Sequence, residues 1–253
     1  MKKIRSILVI FILTFVTAYG QDNYKELIRA ANNAYNEGAY QEAKEKYLEV
    51  AGQGYTSAAL YYNLGNACFK TNDIPAAILY YEKALKIDPT DEDVQYNLNI
   101  ANSMKVDKIE EVPDLFYILW WDQLSNLFRA NTWAWISAAT FLLVFIMATV
   151  FVTSVSVRAR RSSFWTGILF LFLFVIATVI SYQEYVEYTR DDQAIVFTPT
   201  LTVRSSPMEN SVDLFVIHEG TKVTLIDEVE GWAEIRIANG STGWIPRSSF
   251  RVI

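Results

Sequence analysis

The sequence predicts a three-part membrane protein: an all-α helical repeat domain, a two-helix transmembrane hairpin, and a small all-β barrel. Three observations carry this. A 34-residue period runs from Tyr24. No charge occurs between Arg129 and Arg158 or between Arg161 and Glu184. After Ala194, short β-rich runs alternate with turn residues. Each uncharged gap exceeds the roughly 20 residues a helix needs to cross about 30 Å of hydrocarbon.

Residues 1–20 precede all three parts. Lys2, Lys3 and Arg5 lead into the apolar run Ile7 to Val16, and Ala18-Tyr19-Gly20 follows. This is the order of an export signal, with cleavage expected before Gln21; an uncleaved amino-terminal anchor is the alternative. By region the net charge is +3 for residues 1–21, −6 for 22–112, +2 for 113–183 and −5 for 184–253. Acidic flanks argue against nucleic acid as a partner, because phosphate binding needs a basic face. The single cysteine, Cys68, allows no intramolecular disulfide and falls on the inner side of a helix, where a small buried hydrophobe fits.

The repeat domain is expected over residues 21–112, with units at 24–57 and 58–91 and a closing helix from 92. The second unit holds Tyr61, Leu64-Gly65, Phe69, Ala77, Tyr81, Ala84 and Pro89. These match the tetratricopeptide repeat pattern. Gly65 and Ala77 would let two antiparallel helices approach while Tyr61, Leu64 and Tyr81 fill the space around them. Pro89 would stop the second helix. The first unit keeps Leu27, Gly38, Tyr40, Ala43 and Tyr47 but has Ala31 where Gly65 stands.

In tetratricopeptide repeats the first helix of each unit lines a concave groove. Carried over by position, that groove would present Arg29, Asn32, Tyr62, Asn63, Asn66, Lys70 and Asn97 to a protein partner. An asparagine amide donates and accepts at once, which suits an extended peptide backbone. The competing reading is that these asparagines only stabilise the helix connections. Ile28 and Asp93 stand where a carboxylate clamp needs lysines, so capture of a carboxy terminus is not expected.

Residues 113–130 carry apolar side chains at spacings of three and four, with Trp120 and Trp121 among them. They are expected to form an amphipathic interfacial helix on the bilayer, or to pack against the repeat domain. The crossings are expected at 131–157 and 164–183, joined by a basic loop at 158–163. Arg158, Arg160 and Arg161 in that loop place it in the cytoplasm by the positive-inside rule, and hence both flanks outside. Neither crossing holds an ionisable group, so an anchor is expected rather than a transporter. Small side chains at Ser137, Ala138 and Ala139 leave association with another membrane subunit open.

A linker at 184–193 leads to the β-rich domain at 194–253. Strands are expected at 194–197, 201–204, 213–217, 222–227, 232–237 and 242–245, which suits a small barrel. Leu201-Thr202-Val203-Arg204, His218-Glu219-Gly220-Thr221, Gly231-Trp232 and Gly240 with Gly243-Trp244-Ile245 follow the motif order of the bacterial SH3 domain, which this segment resembles. The resemblance implies a cell-wall peptide, a protein partner or plain packing as the domain's use. Trp232 and Trp244 would line a ligand groove or belong to the core, and His218 is expected as an exposed turn residue. With one histidine and one cysteine, no nucleophile–base pair, metal cluster or phosphate loop is legible; no enzyme and no cofactor are expected.

The order of export signal, tetratricopeptide repeats, tryptophan-rich segment, arginine-looped hairpin and SH3 domain resembles the BatE-like family of Bacteroides aerotolerance operons. The resemblance implies a non-catalytic scaffold in the bacterial inner membrane, with both soluble domains periplasmic. Its implied partners are other membrane proteins of the same operon, beside a MoxR-type ATPase and von Willebrand A-domain proteins. It also implies a role in oxidative or envelope stress tolerance. A cell-wall tether gripping peptidoglycan through the SH3-like domain is the second expectation.

Overall fold

A computed structural model describes residues 24–110, 113 and 115–253. The export signal lies outside the described residues. Among them the chain forms two compact units. One holds the amino-terminal helices together with the whole β-sheet. The other holds the two long apolar helices and the short helix before them.

In the first unit, five helices follow one another: α1 (24–36), α2 (Tyr40–Gly52), α3 (Ala58–Lys70), α4 (Ile74–Ile87) and α5 (Glu92–Ser103). Their punctuation is local chemistry. The Ser57 hydroxyl accepts from the Leu60 N–H at 3.1 Å and starts α3. Asp91 does the same for α5 toward Asp93 and Val94. The α1–α2 turn needs a left-handed residue at Gly38 (φ +81°), and Asn72, 34 positions on, takes that conformation at φ 59°. Asparagine tolerates it because its short amide bonds locally.

The helical core collects Ala43, Tyr47, Leu64, Ala77, Tyr81 and Ala84, all essentially inaccessible. Gly65 is where α3 and α4 come closest. A Cβ there would stand 2.6 Å from two ring carbons of Tyr81. That ring is buried and tied at its hydroxyl, so it cannot step aside. Gly65→Ala is therefore expected to destabilise the chain by about 1–2 kcal/mol, overpacking outweighing the gain in helix propensity. Urea or thermal unfolding of the variant checks it; a melting temperature at or above wild type would contradict the close approach.

The β-sheet belongs to the same unit. Its strands are β1 (Gln193–Val196), β2 (Thr200–Arg204), β3 (Asp213–His218), β4 (Lys222–Val229), β5 (Trp232–Arg236), β6 (Thr242–Pro246) and β7 (Phe250–Val252). All pairings are antiparallel, in the order β3-β2-β6-β5-β4-β1-β7. Glu230 and Gly231, both at positive φ, turn β4 into β5. The sheet wraps a core of Val203, Ile217, Val223, Ala233, Ile235 and Ile245. Two features differ from the expectation. There is a seventh strand, and no pairing joins the ends β3 and β7, so the sheet is open. β7 is only three residues long, and Leu214 is unmatched in the β2–β3 register, a bulge that interrupts the outer strand.

The sheet packs on the helices through β1 and β7. Ile195 and Ile253 are buried in the helical core, with Phe197 against it. Lys86 on α4 donates to the Ile253 carbonyl at 3.0 Å, and Lys222 pairs with Glu82 at 2.9 Å. Gly220 (φ +83°) lies against Ile78 and Lys105, where a side chain would meet both at 3.2 Å. Asp107, just past α5, accepts three hydrogen bonds from the sheet. They come from the His218 N–H (2.6 Å), His218 Nδ1 (2.7 Å) and the Thr221 hydroxyl (2.8 Å). His218 is therefore not the exposed turn residue expected. It ends β3 half-buried, because its ring and its backbone both serve one carboxylate.

The second unit holds α6 (Phe116–Ser125), α7 (Ala130–Thr153) and α8 (Val157–Thr189). Both α7 and α8 contain stretches long and apolar enough to cross a membrane, Asn131–Thr153 and Val157–Thr189, with mean hydropathies of 2.3 and 2.4. The basic segment 158–163 is helical, not a loop. The turn falls at 154–156, because arginine and alanine are good helix formers and Ser154-Val155-Ser156 carries the break. Arg160 folds back so that its Nε donates to the Phe151 carbonyl at 3.3 Å, satisfying an open acceptor at the end of α7. Ser137 and Thr178 bridge the two helices at 2.8 Å. Helix α6 lays Trp121 and Leu124 on Trp133, Ala177 and Ile180 of the hairpin. The Trp121 indole donates to Gln183 at 2.7 Å, and the Trp133 indole to the Ser125 carbonyl at 2.8 Å. The face holding Phe116, Leu119 and Trp120 stays exposed.

Candidate functional site

The groove side of the helical repeat is built by a bond that recurs with the period. The Tyr47 hydroxyl donates to Asn32 Oδ1 at 2.6 Å, and Tyr81 donates to Asn66 Oδ1 at 2.7 Å. Each joins the two helices of one repeat. In the third unit no tyrosine follows, and Asn97 turns back instead. Its amide donates to the Tyr62 hydroxyl at 3.2 Å and to Asn66 Oδ1 at 3.0 Å. Burial pushes the Tyr47 phenol up to about 12 and the Tyr81 phenol higher still, so both remain donors at neutral pH.

Against this network lies a cavity of about 270 Å³ lined by Tyr35, Tyr62, Asn66, Phe69, Lys70, Tyr81, Asn97 and Ile100. Four of the seven residues expected in the groove line it: Tyr62, Asn66, Lys70 and Asn97. The other three do not. Arg29 is exposed on α1, Asn63 is half-buried on α3, and Asn32 sits one repeat back, bonded to Tyr47. The asparagines thus have a structural half, joining helix to helix, and a half that faces the groove.

Tyr35, Phe69, Tyr81 and Ile100 were not foreseen there. A signal existed for two of them, since Tyr35 and Phe69 occupy one position of the 34-residue period. The rings of Tyr62 and Tyr81 stand 6.3 Å apart, making an aromatic wall. Lys70 Nζ stands 5.9 Å from the Tyr40 ring centroid at the rim.

On the sheet, Trp232 lines a cavity of about 500 Å³ with Leu201, Thr202, Arg204, Glu209, Asn210 and Pro246. Trp244 is half-buried and does not line it. The two tryptophans are not brought into one groove. Cys68 is fully buried in the helical core. Burial pushes its thiol up to about 12, leaving it protonated at neutral pH. Among the described residues, no group of three His, Cys, Asp or Glu side chains is placed to hold a metal ion.

Two family models match the chain. The tetratricopeptide repeat matches residues 58–91, and the bacterial SH3 domain matches residues 199–250. The chain therefore carries a tetratricopeptide repeat and a bacterial SH3 domain, both typically non-catalytic binding modules. No curated protein matches it. Among solved structures, a crystal structure of MamA protein aligns at 18% identity and a TM-score of 0.31. The alignment covers 68% of this chain and 76% of that one, a similarity too low to carry an argument.

Proposed function

We propose that this protein is a membrane-anchored adaptor, holding protein partners outside the bacterial inner membrane in the groove of its helical repeat. The observation that carries the reading is the cavity at Tyr62, Asn66, Lys70 and Asn97, aromatic in its walls and polar at its base. The hairpin α7–α8 is the anchor, and the arginines at its tip lie in the cytoplasm. Both flanks then face the periplasm, in keeping with the export signal. The BatE-like resemblance supplies the setting: partners among the membrane proteins of an aerotolerance operon, and a role in oxidative or envelope stress tolerance.

Two experiments test this. With Cys68 buried, single cysteines at Ser162 and Asn239 report topology. A membrane-impermeant maleimide on intact spheroplasts is expected to label Asn239→Cys and spare Ser162→Cys; the reverse pattern defeats the orientation. For the groove, Tyr62→Ala with Lys70→Glu is expected to cut recovery of co-purifying proteins at least tenfold while membrane insertion persists. Unchanged recovery would show that the partners bind elsewhere.

The cavity beside Trp232 favours a second reading, a cell-wall tether, since an exposed aromatic face beside Arg204 and Asn210 suits a peptidoglycan fragment. Detergent-solubilised full-length protein would then pellet with purified sacculi, and Trp232→Ala would abolish pelleting.

A further inference from the structure

The hydrogen bonds that fix the groove asparagines also determine what they have left to offer. Asn66 Oδ1 accepts from the Tyr81 hydroxyl and from the Asn97 amide, which uses both of its lone pairs. Both hydrogens of the Asn97 amide are used, one on Asn66 and one on the Tyr62 hydroxyl. What remains is the Asn66 NH₂ as donor and Asn97 Oδ1 as acceptor, side by side in one cavity. The count survives reversal of both amides together, which leaves an acceptor on Asn66 and a donor on Asn97. One repeat back, Asn32 is arranged alike, its oxygen taken by Tyr47 and its NH₂ free.

A peptide unit in an extended chain presents one N–H and one C=O, the complement of that pair. The walls around it are Tyr35, Tyr62, Phe69 and Ile100, enclosing about 270 Å³. That is room for one large apolar side chain, as no charged group other than Lys70 lines it.

From this we infer that the groove holds an extended peptide by a single peptide unit clamped between Asn66 and Asn97, with one large apolar side chain of that segment seated among Tyr35, Tyr62, Phe69 and Ile100. The inference rests on the groove reading above and adds the recognition chemistry. Selectivity is then set by one anchor side chain, while the backbone bonds tolerate varied sequence on either side of it.

The test uses full-length protein in nanodiscs and a phage-displayed library of random dodecapeptides as probe. Enriched peptides are synthesised and N-methylated one residue at a time, which removes one backbone N–H per peptide. Enriched sequences are expected to share a single Trp, Phe, Leu or Met. N-methylation at one site near it is expected to weaken binding at least tenfold in wild type and less than twofold in Asn97→Ala, whose acceptor is gone. Thermal unfolding of Asn97→Ala confirms that it is folded. If peptides bind and Tyr62→Ala abolishes binding, yet no N-methyl position matters, the clamp is wrong and the groove stands. If no peptide enriches, or Tyr62→Ala leaves binding intact, the groove reading falls and the clamp with it.

Discussion

Asp107→Ala is expected to destabilise the helix–sheet unit by about 2–4 kcal/mol, the sum of hydrogen bonds to a charged acceptor lost together. The carboxylate holds the His218 N–H, the His218 ring and the Thr221 hydroxyl. Alanine leaves a backbone donor at the end of β3 with no protein acceptor. Hydrogen exchange should rise first over residues 213–222, where the sheet is tied to the segment after α5. The pH dependence has a definite sign. Burial raises the Asp107 carboxyl, but the bonds from His218 and Thr221 outweigh it, and the group sits below its ordinary value of 3.8. A depressed carboxylate stabilises the fold fully above that ordinary value, and the contribution is lost as pH falls through the folded value. The stability difference between wild type and Asp107→Ala should therefore be constant near neutrality and shrink below about pH 4. A difference that grows on acidification would contradict the assignment.

Tyr81→Ala should cost more, about 3–5 kcal/mol, because it removes a fully buried ring and leaves a cavity beneath Gly65. Tyr81→Phe keeps the ring and loses only the bond to Asn66, so it should cost about 1 kcal/mol. Urea titration of the pair separates packing from bonding. Equal losses would mean that the hydroxyl dominates, against the close contact at Gly65. A further consequence concerns alkali. Burial holds the Tyr47 and Tyr80 phenols neutral up to about 12 against an ordinary value of 10.0. An acid whose folded value is raised stabilises the fold below its ordinary value, and that contribution is lost as pH rises beyond it. Stability should decline from about pH 10 upward.

The repeat was legible because its signal is steric and local. Glycine and alanine stand where helices touch, tyrosines where they leave space, and the spacing repeats. Strand positions were legible from alternation, except β7, whose three residues are too short to alternate. The groove was half legible. Position within the repeat located Tyr62, Asn66, Lys70 and Asn97, but it also offered Arg29 and Asn63, which lie outside the cavity. Which asparagine atoms are free could not be read, because it depends on the tyrosine each amide meets. The docking of the sheet on the helices was hidden for a different reason. Asp107 and His218 are 111 residues apart, and Ile195, Phe197 and Ile253 look in sequence like ordinary strand residues. The helical arginine segment was misread as a loop because charge between two apolar runs marks a boundary without fixing the backbone.

The central claim is that a protein partner occupies the repeat groove at the membrane of the living cell. The direct measurement places the photo-crosslinking residue p-benzoylphenylalanine at Tyr62 and, as control, at exposed Glu49 on α2. After irradiation of intact cells, discrete protein adducts are expected from the Tyr62 position and not from Glu49. No adduct at Tyr62, or the same adducts from both positions, would contradict it.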